Sequence, residues 1–326
     1  MNPLVSICIP TYNRVSLLEK AVASALAQTV DDYEILVVDN NSEDDTEEKI
    51  RRFKNPQLRY VRNPQNIGMI PNWNRCIDLA FGKYICILHS DDFIEPQLLA
   101  MESGLLERYP TIGMVYSAHY LAHELTDRRK TVIPHRHSRV FDGKVQFESL
   151  VSRGNYIAFS GVLVRKSCYQ DVGSFDTALP YSSDLEMWLR ICLKYSVGYL
   201  NVPLVTYRFH GGMDSFSFFA SSDAVDQEWK AIQTAVSQAH QPEHERQQLL
   251  RRARRQLAGR SMRRAFFHAD KGMAIVRKHL NKIVLFNPQM RFHPLYWLIL
   301  LFTLMGDRVF SFLNRVRVGV LKSVTR

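Results

Sequence analysis

The 326-residue sequence predicts an α/β protein: a Rossmann-like, mostly parallel sheet flanked by helices, then a mainly helical, basic C-terminal region. Three observations carry this expectation. Short apolar runs alternate with helical patterns through the first hundred residues, at the spacing of right-handed βαβ units. Polar clusters follow several of those runs, where ligands bind in open α/β sheets. Charge also changes sign along the chain. Of its 42 Lys/Arg and 32 Asp/Glu, residues 241–326 hold 18 and 4, leaving 24 and 28 for residues 1–240.

The elements follow in order. Residues 4–9 are a continuous apolar run ending at Pro10. Ser16-Leu17-Leu18-Glu19 reads as a capping box, with Val22, Ala25 and Leu26 continuing one helical face. Residues 34–38 form the next strand and end in Asp39. Residues 43–53 read as a helix, 58–61 as a strand, 70–81 as a helix and 84–88 as a strand. Ser90-Asp91-Asp92 comes next, then a helix from near Pro96. Residues 119–145 are polar, rich in His and Arg and weakly periodic, which predicts a loop or irregular excursion. A second patterned block spans 160–210. It holds a strand at 161–164, a helix at 184–194 and strand-like segments at 198–200 and 204–207.

Hydrophobic residues make up 46% of the chain and charged residues 23%, which excludes wholesale disorder and is enough to bury a core. The five cysteines sit mostly in apolar runs with no C-x-x-C pair, as small buried hydrophobes in a reducing compartment do. The opening residues carry no basic stretch followed by a long apolar core, so no signal peptide is expected. Residues 222–282 read as basic helices. The apolar run at 294–306 is shorter than the ~20 residues a spanning helix needs. Beyond it, Val309, Leu313, Val316 and Val320 form one helical stripe, and Arg308, Arg315 and Lys322 another. That pattern predicts a segment at about 291–322 lying in a membrane interface, the alternative being a helix packed on protein. The cations call for an anionic surface. The apolar run and its tryptophan favour lipid, and no nucleic-acid partner is expected.

The chemistry concentrates at three strand ends. Pro10-Thr11-Tyr12-Asn13-Arg14, Asp39-Asn40-Asn41-Ser42 and Ser90-Asp91-Asp92 meet at one edge if the sheet is parallel. No G-x-G-x-x-G or P-loop is present, so phosphates must be neutralised in another way. Adjacent carboxylates can hold Mg²⁺ or Mn²⁺, which would compensate charge on a departing diphosphate. The alternative is an aspartate pair that caps the next helix.

These three segments, in this order and spacing, resemble the opening of the family-2 glycosyltransferases, which have a GT-A fold. A second set resembles the same family: Ser160-Gly161-Val162-Leu163-Val164-Arg165, Val172-Gly173-Ser174-Phe175-Asp176, Ser183-Asp184-Leu185-Glu186-Met187-Trp188 and Tyr207-Arg208-Phe209-His210. The resemblance covers about residues 3–215. It implies a catalytic domain over 1–215, with a nucleotide-sugar half at about 1–117 and an acceptor half at about 118–215, ahead of the basic region at 216–326. It implies that Asp39 binds the base or ribose, with Pro10, Thr11 and Tyr12 lining the base pocket. Asn66, Gly68 and Arg75 would close over the donor. Asp91 would be the principal ligand of a divalent metal, Mn or Mg, with Asp92 nearby. Arg208 and His210 would lie near the diphosphate or metal. Asp184 would be the general base of an inverting transfer; read from the residues alone, it is an N-cap.

Two positions depart from the family pattern. His89 stands where an acidic residue is common, and is either a further ligand that would favour Mn²⁺ or a satisfied polar residue. Ser183 stands where Glu often precedes the base. The activity implied is transfer of a sugar from a nucleotide-sugar donor to a saccharide or lipid-linked acceptor. It would serve bacterial cell-surface polysaccharide or glycan synthesis, in the cytoplasm and peripherally at the inner face of the membrane. The competing readings are a nucleotide-sugar-binding protein without transfer and a sugar nucleotidyltransferase. Trp73 and Trp188 read as core, and the charged stretch around Arg128, His135 and His137 as a solvated loop, the alternative being a contact with an acidic or phosphorylated acceptor.

Overall fold

The apolar runs become strands because β-branched and aromatic side chains can be buried on both faces of a sheet covered by helices. In the computed structural model, which describes residues 2–123, 129–209, 222–267 and 273–304, the order begins β1 Val5–Thr11, α1 Val15–Leu26, β2 Tyr33–Asp39, α2 Thr46–Arg51, β3 Leu58–Arg62 and α3 Met69–Leu79. It continues with β4 Tyr84–Ile87, β5 Phe93–Ile94, α4 Leu98–Arg108, β6 Ile112–His123, β7 Arg129–Val132, β8 Arg139–Phe141 and α5 Gly143–Arg153. A 3-10 turn at Phe159–Gly161 precedes β9 Leu163–Arg165, α6 Lys166–Val172, α7 Ser183–Cys192 and β10 Ser196–Phe209. Four helices follow: α8 Asp223–Gln238, α9 Glu243–Phe267, α10 Met273–Phe286 and, after a 3-10 turn at Pro288–Phe292, α11 Pro294–Leu304.

The described strands form one 10-stranded sheet, in the order β3-β2-β1-β4-β9-β6-β10-β5, with β7 on β6 and β8 on β10. The first four run parallel, with Thr11 opposite Asp39 and Asp39 opposite Arg62, so the carboxyl ends of β1, β2 and β3 are level. β6 and β10 are also parallel, while β9 runs antiparallel between β4 and β6. Every residue of β1 is buried, and Ile7, Ile9, Ile35 and Val37 are fully enclosed with Leu18 and Val22 of α1. Each such side chain contributes about 1.5–3 kcal/mol of burial.

Several local expectations change. The stretch 119–145 is irregular at 133–138 but also contributes strand: β6 runs on to His123, and β7 and β8 add to the sheet. Polar residues are tolerated in β7 because it is a largely exposed edge element, while β8 buries Phe141. The segments at 198–200 and 204–207 belong to one strand, β10, whose register shifts around Leu200, Pro203 and Val205 disguise its continuity. Ser16 is no cap: α1 begins at Val15, whose amide donates to Asp44 Oδ2 at 3.1 Å. All five cysteines are free and buried.

The chain divides into two compact units, residues 1–150 with 155–211, and residues 212–326 with 151–154. In the second unit, Met262 and Ala265 of α9, Val276, Leu280 and Ile283 of α10 and Ile299 of α11 share one buried cluster. Arg260 holds Glu228 with two hydrogen bonds of 2.5 and 2.6 Å, and Lys282 pairs with Asp226. Among the described residues no helix is long and apolar enough to cross a membrane. Of the segment expected at 291–322, residues 305–322 lie outside the described residues.

Candidate active site

Parallel strands end with their last carbonyls and following loops on one side, so the sequence clusters after β1, β2 and β4 converge. Asn40 N donates to Thr11 O at 2.9 Å, and Leu88 N donates to Cys8 O at 2.8 Å. Asn13, held in the left-handed region at φ 49°, accepts from Glu43 N at 2.7 Å while its own amide donates to Ser42 Oγ at 2.9 Å. The loops after β1 and β2 are thereby tied into one rim.

Asp39 is fully buried. Its Oδ1 accepts from Ser42 N at 2.9 Å and Ser42 Oγ at 2.6 Å, and its Oδ2 accepts from Tyr60 Oη at 2.6 Å. Burial, then the bond to Asp39, push the Tyr60 hydroxyl's pKa well up, so Tyr60 remains a donor. Pro10 and Thr11 are buried in the same strand end, while Tyr12 is 41% exposed.

Asn66 and Gly68 are placed by an asparagine network. Asn40 donates to Asn66 Oδ1 at 2.7 Å and to Gly68 O at 3.3 Å, and accepts from Ile67 N at 2.9 Å. Asn63 bridges Asn40 and Asn72, and Asn72 donates to Val38 O at 3.1 Å. Gly68 sits at φ 89°, where a side chain would be strained. Arg75, on α3, keeps its Nε buried without a hydrogen-bond partner.

After β4 the chain turns through His89, Asp91 and Asp92, whose donor atoms lie within 4.8 Å of one another. Neither aspartate caps α4, whose N-cap is Gln97. Asp92 is 1% exposed: its Oδ1 accepts from Arg208 N at 2.9 Å and its Oδ2 from Ser160 Oγ at 2.5 Å. Burial, then the neighbouring Asp91 charge, push its carboxyl up to about 8, against the opposing pull of Ser160 and Arg208. Asp91 Oδ2 pairs with Arg14 Nη1 at 3.2 Å, linking the first motif to the third. Arg208 donates to Asp91 O through Nε, and its guanidinium lies 5.1 Å over Phe93. Carboxylate oxygens beside an imidazole suit a divalent cation of the Mn²⁺ type. His89 also stacks on Phe159, with centroids 4.6 Å apart, and on Trp73 at 5.2 Å. Its ring plane is therefore set by packing.

Asp184 lies in the first turn of α7, whose N-cap is Ser182, so it is not itself the cap. Its Oδ1 accepts from Leu185 N at 2.7 Å, and its Oδ2 from Asn155 Nδ2 at 2.6 Å. One turn later, Trp188 is 1% exposed and packs on Phe159 with centroids 5.9 Å apart. A chain of rings thus runs from α7 through Phe159 to His89. Glu186 and Arg190 pair through bonds of 2.6 and 2.7 Å, and Arg190 donates to Ser174 O at 2.8 Å, which fixes the loop before α7. His210 lies outside the described residues.

Sequence reasoning assigned no role to Asn40, Asn63, Asn72, Asn155 or Phe159, because each acts through a partner distant in sequence. His135, expected in a solvated loop, is half-buried. The ring instead lies among Tyr116, Phe141, Tyr156 and Tyr199, with Nε2 2.9 Å from Tyr116 Oη.

A parallel half-sheet with carboxylates at its strand ends, continued by a mixed half, is the layout of the GT-A glycosyltransferases. Two solved structures share the fold. S. aureus TarS in complex with UDP-GlcNAc superposes with a TM-score of 0.66 at 16% identity, over 86% of this chain and 80% of that one. The mannosyltransferase PcManGT of Pyrobaculum calidifontis, in complex with GDP-Man and Mn²⁺, gives 0.57 at 16% identity, over 92% and 86%. The family model for glycosyl transferase family 2 matches residues 6–168, and the chain belongs to that family. It is 29% identical over 204 residues to an uncharacterized Mycobacterium tuberculosis protein, covering 60% of this chain and 64% of that one. It is 26% identical over 196 residues to WcaA, a putative colanic acid biosynthesis glycosyl transferase of Escherichia coli, covering 60% and 68%. It spans about a third of the length of two rickettsial relatives described as glycosyltransferases.

Proposed function

We propose that the chain is an inverting, metal-dependent glycosyltransferase that moves a hexose from a nucleotide-sugar donor to a saccharide or lipid-linked acceptor. The setting would be bacterial cell-surface polysaccharide or glycan synthesis, in the cytoplasm and peripherally at the inner face of the membrane. The observation that carries it is the pairing of two carboxylate groups with different surroundings. Asp91 and Asp92 follow β4 beside His89, Arg14 and Arg208, while Asp184 stands apart on α7 with both oxygens oriented by donors. WcaA, TarS and PcManGT support the reading by what they are described as making or binding.

In this reading the rim of Pro10, Thr11, Tyr12 and Asp39 takes the nucleoside. Asn66, Gly68 and Arg75 close over the donor with Asp92, and Arg208 faces the diphosphate. Asp91 with His210, and His89 as a further candidate ligand, would hold the divalent ion, Mn or Mg; bound there, it would neutralise charge on the departing diphosphate. Asp184 accepts the proton of the acceptor hydroxyl as its oxygen bonds to the anomeric carbon. The bond from that carbon to the diphosphate oxygen breaks on the opposite face, inverting the centre. Two donor hydrogen bonds aim the Asp184 carboxylate.

The test is a screen of UDP-, GDP- and dTDP-sugars with Mn²⁺, reading donor binding and sugar transfer. Asp91→Ala is expected to lose metal-dependent donor binding. Asp184→Ala is expected to keep binding and lose transfer. Normal transfer by both variants would sink the assignment. Binding without transfer by the unaltered protein would favour a donor-binding role, and nucleotide-sugar synthesis from a nucleoside triphosphate would favour a nucleotidyltransferase.

A further inference from the structure

α11 does not bury its whole circumference. Ile299 shares an enclosed cluster with Val276, Leu280 and Ile283 of α10. On other faces Trp297 is 57% exposed, Leu298 43% and Leu301 54%; Phe292 just before the helix is 71% exposed and Leu285 at the end of α10 68%. Five of the ten large hydrophobic side chains left exposed among the described residues therefore fall between positions 285 and 301. Scattered exposed apolar residues are ordinary, but a concentration of this kind marks a surface that meets something. Trp297 and Leu301 are one turn apart, as are Leu298 and Leu301, so the three share a side of the helix.

The chemistry of the surroundings selects the partner. Residues 273–304 contain four Lys/Arg and no Asp/Glu. Lys282 is engaged by Asp226, but Arg277, Lys278 and Arg291 are exposed. The Arg291 guanidinium lies 4.8 Å over the Phe292 ring, so cation and aromatic are presented together. A second copy would bring these cations against their own counterparts, and residues 273–304 carry no Asp or Glu to answer them. An anionic lipid surface meets both features at once. Headgroup phosphates accept the cations, Trp and Phe seat at the headgroup boundary, and leucines enter the acyl region. Because Ile299 stays in the protein core, insertion is limited to one side of the helix.

We propose that the face formed by Leu285, Phe292, Trp297, Leu298 and Leu301, with Arg277, Lys278 and Arg291, docks on an anionic bilayer. This deepens the membrane placement proposed above and is independent of the transfer chemistry. It extends the segment expected at about 291–322 back to Arg277, Lys278 and Leu285 of α10.

The experiment is co-sedimentation of the full chain with vesicles of phosphatidylcholine alone and of an equal mixture with phosphatidylglycerol. Binding to the mixed vesicles is expected, weakening as salt rises. The triple variant Phe292→Ser, Trp297→Ser, Leu301→Ser is expected to bind about tenfold or more weakly, with unchanged thermal unfolding. A second variant, Lys278→Glu with Arg291→Glu, leaves the apolar residues in place and is expected to lose the preference for the anionic lipid. Equal binding to both vesicle types, or wild-type binding by the triple variant, overturns the proposal. So does a dimer that the triple variant dissolves. Turnover of a nucleotide sugar with a soluble acceptor is read on the same triple variant. Its retention alongside lost lipid binding separates this inference from the proposed transfer site.

Discussion

Asn155 offers the sharpest test of how the proposed base is aimed. Its Nδ2 donates to Asp184 Oδ2 at 2.6 Å, and its Oδ1 accepts from Ile157 N at 3.1 Å. The second bond prevents the amide from flipping, so the donor side must face the carboxylate. A hydrogen bond to a charged group contributes about 1.5–3 kcal/mol. If that energy orients Asp184 when the acceptor proton is taken, its loss in Asn155→Ala lowers kcat by about tenfold to 150-fold. The donor KM should stay near the wild-type value, since the described hydrogen bonds of Asn155 go to Asp184 and Ile157. Asn155→Asp should fall further, because it sets a second carboxylate against the first. The assay is steady-state release of nucleoside diphosphate at saturating acceptor, with the best donor from the screen. An Asn155→Ala variant with wild-type kcat, or one whose donor KM rises in proportion to the loss, would refute the reasoning.

Three further outcomes are expected. Glu102 is wholly buried on α4 with no well-formed hydrogen bond to either oxygen; the Ser117 hydroxyl and the Leu163 amide only partly offset the burial that pushes its carboxyl well up. A raised carboxyl binds its proton more tightly in the native state, so stability is lost as pH rises above the unfolded value of 4.5. Glu102→Gln should unfold later than wild type near neutral pH, by about 1 kcal/mol or more, and lose that advantage in acid; thermal scans across pH decide it. Gly161→Ala would set a Cβ 1.9 Å from Val205 Cγ2, inside the core and next to Ser160. It should cost about 1–3 kcal/mol in urea unfolding and disturb the Ser160–Asp92 bond, and a neutral result would contradict the packing described. Tyr60→Phe removes the donor to Asp39 Oδ2. It should cost about 1–3 kcal/mol and weaken UDP or GDP binding, measured by chemical unfolding and nucleotide titration.

Much of the site was legible because its residues sit at fixed offsets from strand ends. Asp39 closes β2 and Asp91 follows β4 by a few residues, so a parallel sheet carries both to the same rim once the apolar runs are recognised. Asp184 was legible as the start of an amphipathic helix. Whether it capped that helix was not, since a cap and a first-turn acid differ only in backbone placement. The irregularity expected of 119–145 holds at 133–138 but not at β7 and β8, because polar edge strands carry little periodicity and are held by backbone ladders to β6 and β10.

The sequence alone determined the strand-helix alternation, the carboxylates at the strand ends, the apolar cysteines and the split of charge between the two regions. These follow from local composition and period, which neighbouring residues carry without help. Tertiary structure alone decided that Ser160 and Arg208 meet Asp92, that Asn155 braces Asp184, that Phe159 and Trp73 orient His89, and that one side of α11 stays exposed while Ile299 is enclosed. Those contacts join residues tens of positions apart. Their energies depend on distance, burial and angle, which exist only once the chain has closed on itself.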